Sequence, residues 1–162
     1  MKKVTFILFA LITGTTFAQE VVGTSQVYAE IVSPIEIVST GDLNFGTIAA
    51  GTNAAKVRVS NDGTRTFSDP AMKVLSSGTT ASAASFEITA ATDYSYSIAI
   101  PASKLSNEVE EMDITFTHSM LVSGNVGTGA VQTLNVGGLL SVNGDQAEGA
   151  YEGEVSVTVA YE

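Results

Sequence analysis

Short runs in which apolar and polar residues alternate cover most of the chain from residue 27 onward. The last run is the clearest, because Val155, Val157, Val159 and Tyr161 recur at every second position with polar or small residues between them. A period of two is the pattern of a β-strand with one face buried and the other in water. The run therefore predicts a terminal strand whose valine face is buried.

The same alternation, read along the whole chain, predicts about nine or ten short strands with turns every 8–12 residues or so. The best defined are Lys56–Ser60, Ala84–Ala90, Tyr94–Ile100 and Val131–Val142. The turn Asn61-Asp-Gly63 after the first of these is a hairpin signal, because glycine adopts the positive φ of tight turns. Together these features predict a single-domain, all-β protein with a β-sandwich of the immunoglobulin-like or jelly-roll sort, and we adopt the immunoglobulin-like β-sandwich as our prediction.

The segment before this region shows two further short patterns. Val27–Val32 predicts one strand, in which Val27, Ala29 and Ile31 share a face, and Ile35–Val38 predicts a second. Pro34 lies between them, and proline cannot donate to a β-ladder. We therefore expect an edge, a bulge or a change of sheet at this point.

Glycines and an acidic stretch mark other expected irregularities. Gly46 predicts a bulge or a close approach of backbone, and Gly137-Gly138 predicts a bulge or bend within the strand Val131–Val142. Ala102–Asp113 is the one stretch that predicts a helical turn. Pro101, just before it, is expected to end the preceding strand.

The first eighteen residues have the features of a secretory signal peptide. Two lysines are followed by an apolar run, Val4–Ile12, and small residues precede an expected cut after Ala18. The apolar run is shorter than the ~20 residues that a membrane-spanning helix needs. We expect residues 1–18 to be the signal, 19–26 a flexible lead and 27–162 the domain. The protein is then exported to the periplasm, the cell surface or the medium.

The net charge and composition of the chain limit the classes of molecule that we expect it to bind. The chain has seven basic and seventeen acidic residues, a net charge of −10. Loss of Lys2 and Lys3 with the signal leaves five basic residues and a charge of 5 − 17 = −12. Such a chain should repel nucleic acid and anionic membrane surfaces. It has no cysteine, so neither disulfides nor a lipoprotein anchor are expected, and no later segment predicts a transmembrane helix.

The sequence contains few residues that are candidates for catalysis or metal binding. The single histidine, His118, has no defined acid partner or nucleophile elbow and is interpreted as a partly exposed strand residue. Glu108–Asp113, or Asp62 with Asn61, offer oxygen ligands for calcium but lack the spacing of a calcium loop, so solvated loops are the preferred interpretation. Tyr94 and Tyr96 are in phase with core residues. We predict no enzyme, no cofactor and no metal.

Several motifs carry a resemblance that spans residues 27 to 162. They are Leu43-Asn-Phe-Gly-Thr-Ile48, Asp62-Gly-Thr-Arg65, Ala83-Ala-Ser-Phe86, and the ending from Leu134 through Gln146, Gly149, Tyr151 and Gly153 to Tyr161. In this order and spacing they resemble the bacterial domain of unknown function 4402 family. The resemblance implies a secreted, single-domain β-sandwich and brings no established activity or catalytic residues.

The ending also resembles the subunits of chaperone–usher pili and spore-coat-U-like domains. In those subunits one strand of the sandwich is missing, and a chaperone and then the next subunit supply it. The resemblance implies a structural subunit of a surface fibre, or an adhesin-like surface protein, whose partners are itself, related surface subunits and a periplasmic chaperone. The residues so assigned are Val27, Ala29 and Ile31 as donor, and Val155, Val157, Val159 and Tyr161 as groove wall.

Two alternatives stay open at the level of sequence. In the first, both of these strands complete the sheets of their own monomer. In the second, the protein is a monomeric, secreted β-sandwich module that binds a ligand such as a glycan or calcium.

Overall fold

The computed structural model describes residues 20–70, 72–74 and 78–162, and these contain strands but no helix. The all-β prediction is therefore confirmed. The predicted signal peptide and Gln19 lie outside the described residues. The chain divides into a unit that ends at Ile31 and a compact unit of Val32–Glu162. In the part of the chain that is described, no helix has the length and apolar character to cross a membrane.

Twelve strands are present among the described residues, more than the nine or ten predicted, and all pair antiparallel. They are β1 (Glu36–Gly41), β2 (Ile48–Ala49), β3 (Ala55–Val59), β4 (Arg65–Phe67), β5 (Lys73–Val74), β6 (Ala84–Thr89), β7 (Ser95–Ala99), β8 (Ser103–Ser106), β9 (Glu111–His118), β10 (Asn125–Val126), β11 (Val131–Val142) and β12 (Thr158–Tyr161).

The larger sheet has seven strands and is built around β11. Val136 of β11 is opposite Ala84 of β6 and His118 of β9, so these two neighbours lie on opposite edges. Two residues later, Gly138 is opposite Val59 of β3 and Phe116 of β9. One edge of β11 therefore pairs first with β6 and then with β3, while β9 occupies the other edge.

A second, three-stranded sheet has the order β10-β7-β12, and β2 and β5 form a two-stranded ribbon. Two apolar clusters lie inside this β-sandwich. Cluster 1 is Phe45, Ala55, Val57, Val59, Met72, Met112, Ile114, Leu140 and Val142. Cluster 2 is Ala84, Phe86, Ile88, Ala90, Tyr96, Ile98, Leu134 and Val136. Because β11 contributes alternate residues to both, it joins the two clusters.

The glycine pair in β11 does not produce the predicted bulge. The ladder with β9 runs without a register shift from Val136 to Leu140, and even-numbered residues are buried along the strand on both sides of the pair. A Cβ on Gly137 would lie 2.3 Å from the carbonyl oxygen of Val59. Gly137 is therefore required where β11 changes neighbour from β6 to β3 and backbone approaches backbone.

The predicted helical turn within Ala102–Asp113 is wrong. The stretch forms the hairpin of β8 and β9, in which Leu105 is paired with Met112. The Asn107 side-chain oxygen accepts hydrogen bonds from the backbone N–H groups of Val109 and Glu110, at 3.1 and 2.8 Å. An asparagine side chain that binds the backbone two or three residues later favours a turn over a helix.

The predicted strand Val27–Val32 is also absent, since no residue between 20 and 35 belongs to a strand. Val27 and Ile31 are 93% and 96% exposed. An extended segment becomes a stable strand only when its backbone groups have a partner, and none pairs with this one among the described residues. The second predicted strand is confirmed as β1, and the hairpin at Asn61-Asp-Gly63 is confirmed between β3 and β4.

Replacing Gly137 with alanine should lower the free energy of unfolding by about 2–3 kcal/mol, because the added methyl group meets immobile backbone. Urea denaturation followed by circular dichroism measures the change. Gly41→Ala is the matched control, since its new Cβ would be 3.6 Å from the nearest atom, on Ser85. Equal stability of the two variants would contradict the close approach.

Candidate functional site

The last strand packs one face of its side chains against the core, but its backbone pairs with a neighbouring strand over a short distance only. Val155, Val157, Val159 and Tyr161 are half-buried against cluster 2, and the residues between them are exposed. The predicted alternation is confirmed, although the face is half-buried rather than fully buried. The ladder itself is shorter than predicted, because β12 spans only Thr158–Tyr161.

One edge of this strand faces β7 and the other has no neighbouring strand among the described residues. The Glu162 N–H donates to the Ser95 carbonyl at 3.0 Å, so even-numbered residues direct their backbone groups toward β7. Successive residues of a strand alternate in this respect. The backbone groups of Val155, Val157, Val159 and Tyr161 therefore point to the other side, which we call the open edge.

The ladder with β7 ends because of a proline. Thr158 is opposite Ala99, and extending that register by two residues places Ser156 opposite Pro101, which has no N–H to donate. Residues 153–157 make no backbone hydrogen bond within the described part of the chain. This segment is therefore held by the side chains of Val155 and Val157, with its backbone unpaired.

A groove of about 1350 Å³ lies beside this segment. Its lining includes two chain segments, residues 42–50 and 145–155, which we call its walls. It also includes a set of apolar side chains that we call its floor: Leu105 and Phe116, which are half-buried, and Met112, Ile114, Leu140 and Val142, which are buried. The groove thus lies against cluster 1, and Val155 belongs both to its lining and to the open edge.

The wall of residues 145–155 is fixed by a polar network around buried Gln146. The Gln146 side-chain amide donates to Glu110 Oε2 at 2.6 Å and to the Tyr151 hydroxyl at 3.0 Å. The Tyr151 hydroxyl donates to the Ala147 carbonyl at 2.9 Å, and the Ala147 N–H donates to Glu110 Oε2 at 3.1 Å. Satisfied buried networks of this kind give a loop one shape.

The opposite wall is fixed by Arg65. Its guanidinium donates to the backbone carbonyls of Phe45 and Thr47, and it lies 5.3 Å from the centre of the Phe67 ring. Gly46 has φ +71°, and a Cβ there would be 2.5 Å from the Thr79 carbonyl oxygen and 2.5 Å from Arg65 Nη1. The predicted close approach of backbone at Gly46 is therefore confirmed.

Tyr161 ties the end of the last strand to two other segments. Its hydroxyl accepts a hydrogen bond from the Ala91 N–H at 2.8 Å and donates to the Ser33 carbonyl at 3.0 Å. Its ring makes an edge contact with the Tyr94 ring, with 5.9 Å between centroids. The side chain therefore anchors β12 while its backbone remains on the open edge.

The donor residues predicted from sequence lie in the other unit. Among residues 20–31, Val21, Val22, Val27, Tyr28 and Ile31 are more than two-thirds exposed. In the described structure of one chain, Val27, Ala29 and Ile31 belong to no strand.

The remaining candidates occupy structural positions. His118 is half-buried at the end of β9, as predicted, and its Nδ1 atom is buried with no hydrogen-bond partner among the described residues. Asp62 accepts a hydrogen bond from the Thr64 N–H at 2.9 Å, and this bond lowers the pKa of its carboxyl. Within the described residues, no group of three or more acidic or histidine side chains is arranged to hold a metal.

Sequence reasoning missed Glu110, Gln146 and Arg65 as the residues that hold the two walls. Gln146 and Arg65 were noted only as parts of motifs. Glu110 is 36 positions from Gln146, so no local pattern joins them.

The comparisons with known proteins give one match. A family described as Domain of unknown function (DUF4402) matches residues 35–161. No curated protein and no solved structure matches the chain.

Removing the Glu110 carboxylate should loosen the wall of residues 145–155. We expect Glu110→Ala to lower the free energy of unfolding by about 1–2 kcal/mol, since it leaves the buried Gln146 amide with one partner fewer. The control is Glu111→Ala, which removes an exposed ion pair with Lys104 and should cost about 0.5 kcal/mol or less. A larger loss in the control would contradict the role of the network.

Tyr96 should make the fold sensitive to alkali. Burial raises the pKa of Tyr96 above its ordinary value of 10.0, so the folded state retains the proton that the unfolded state loses. Its contribution to stability is present below about pH 10 and is lost as the pH rises further. Tyr96→Phe should lower stability at neutral pH by about 1 kcal/mol, because it removes the hydrogen bond to Gln132, and this deficit should shrink at high pH.

Urea denaturation of wild-type protein and Tyr96→Phe at about pH 8 and about pH 10.5 checks this expectation. Tyr28→Phe, at an exposed position, is the control. If the loss of stability in Tyr96→Phe relative to wild type is the same at both pH values, the expected dependence on pH is contradicted.

Proposed function

The chain belongs to the family described as Domain of unknown function (DUF4402), and from this premise we propose that it is an exported, non-enzymatic structural subunit of a surface fibre. In this proposal the subunits assemble by β-strand complementation. Residues 20–31 of one copy add to the open edge of another copy and lie in its groove.

One observation supports this proposal above the others. Val155 and Val157 are already packed on cluster 2, yet residues 153–157 have no backbone partner among the described residues. Soluble proteins ordinarily cover or interrupt such an edge, because it is a template for pairing with another chain. An open edge beside an apolar groove is the geometry that strand addition uses.

The N-terminal segment supplies a matching donor. Twelve extended residues span roughly 40 Å and the nine residues from Gly153 to Tyr161 span roughly 30 Å, so the segment is long enough to cover the edge. Val27, Ala29 and Ile31 alternate with Tyr28 and Glu30. An added strand would therefore direct its apolar face to the groove floor and its polar face to water.

Three free-energy terms of similar size set the stability of such an assembly. Each backbone hydrogen bond formed contributes about 1 kcal/mol, and burial of Val27 or Ile31 contributes about 1.5–3 kcal/mol each. The cost is the conformational entropy of ordering the segment, about 1–2 kcal/mol per residue. A stable assembly therefore requires both the ladder and the apolar contacts.

The purified mature protein should form ladders of oligomers, and substitution of the donor face should abolish them. We expect Val27→Ser/Ile31→Ser to be monomeric, since it removes the apolar contacts that offset the ordering cost. Tyr28→Ser/Glu30→Ser changes the other face and should still assemble. Size-exclusion chromatography with light scattering distinguishes these states.

Substitutions in the last strand, which would accept the donor segment, test the same proposal independently. Val155→Lys places a charge against cluster 2 and should prevent acceptance of a donor, whereas Ser156→Lys changes an exposed side chain and should not. Circular dichroism verifies that each variant folds. If the wild-type protein is a monomer whose size and stability do not change when residues 20–31 are deleted, the proposal is wrong and the monomeric ligand-binding alternative is favoured.

A further inference from the structure

The described side chains that line the groove carry a single sign of charge. Apart from Tyr151, the ionisable ones among them are carboxylates, and none of them is a lysine, arginine or histidine. The carboxylates are Asp42, Asp145, Glu148, Glu152 and Glu154, all of them exposed. We call this set the acidic rim. The groove thus combines exposed carboxylates with an apolar floor.

The protein's own N-terminal segment does not complement this rim. Residues 20–31 contain Glu20 and Glu30 and no basic residue. Like charges brought to within a Debye length of about 8–10 Å repel one another in moderate salt. A copy of the segment therefore satisfies the floor and the open edge but not the rim.

We infer that the groove's preferred occupant is an extended strand of a separate protein in which basic side chains alternate with apolar ones. Its apolar side chains would contact Leu105 and Phe116, which are the half-buried members of the floor. Its backbone would pair with the unpaired groups near Val155. Its basic side chains, which point to the opposite face, would lie level with the acidic rim.

This inference rests on the proposed groove and open edge, but not on self-assembly. A basic strand would bind first and tightly at low ionic strength, and would keep the groove covered against the weaker N-terminal segment of another copy. The rim thus selects the partner, whereas the floor and the open edge provide affinity that any alternating strand can use.

Two synthetic peptides test the inference on the folded protein lacking residues 1–31. One has the sequence of residues 20–31, and the other carries Glu20→Lys and Glu30→Lys. We expect the lysine peptide to bind roughly tenfold more tightly at low salt, as a few exposed ion pairs imply. The ratio of the two dissociation constants, measured by fluorescence anisotropy, should approach one at about 1 M NaCl, where the Debye length is about 3 Å.

Variants of the rim locate the effect. Glu148→Gln/Glu154→Gln should reduce the preference for the lysine peptide, whereas Glu36→Gln/Glu87→Gln, at exposed positions outside the groove, should retain it. Val155→Lys should weaken both peptides. These results together would support the inference.

Each other outcome has a defined meaning. If both peptides bind equally at low salt, the inference is overturned while strand complementation by the N-terminal segment stands. If only the lysine peptide binds, the inference stands and self-assembly fails. If neither binds, the groove does not accept a strand and both proposals are overturned. If Glu36→Gln/Glu87→Gln also removes the preference for the lysine peptide, that preference arises from the net charge of the protein and the inference is overturned.

Discussion

The close backbone contact between Gly137 and the Val59 carbonyl is the constraint on which the rest of the sandwich depends. It lets β6 and β3 follow one another along a single edge of β11 without a break in the strand. Because β11 remains continuous, Leu134 and Val136 face one apolar cluster while Leu140 and Val142 face the other. The groove floor exists because this second half of β11 and its neighbour β9 are held in one sheet.

At the C-terminal end of the chain, the side chains of the last strand are packed against the core while part of its backbone is unpaired. The valines of the last strand are seated on cluster 2, and the Tyr161 hydroxyl is held by two backbone groups. Pro101, however, ends the ladder with β7 before it reaches Ser156. The segment from Gly153 to Val157 is therefore positioned as a strand but is not paired as one. Its backbone groups have no backbone hydrogen-bond partner among the described residues, so they are available to another chain.

Local patterns in the sequence were sufficient for most of the fold. The period of two identified β3, β6, β7 and β11, because each of these buries one complete face. The errors arose where pairing, which is not local, decided the outcome. Val27–Val32 has the alternation of a strand but no partner among the described residues, and the hairpin turn at Asn107 depends on side-chain bonds that a charge pattern does not reveal.

The candidate site was predictable only in part for the same reason. The alternating residues from Val155 to Tyr161 were evident, but the groove beside them joins segments about a hundred positions apart in sequence. The hydrogen bonds of Arg65 and Gln146, which fix its two walls, also cross long stretches of chain. Distances of this kind have no periodic signature, so the walls could not be deduced before the topology was known.

The chemistry of the walls bears on the class of function. Arg65 and the Glu110–Gln146–Tyr151 network direct their hydrogen bonds to the protein's own backbone and to one another, so they determine shape. What the groove presents outward is the half-buried side chains of Leu105 and Phe116, exposed carboxylates and the unpaired backbone of an extended segment. Backbone pairing is insensitive to sequence, whereas side-chain contacts and charge distinguish one strand from another. These groups therefore support the proposal that the protein selects an assembly partner, and in that proposal the signs of the charges at the rim distinguish one strand from another.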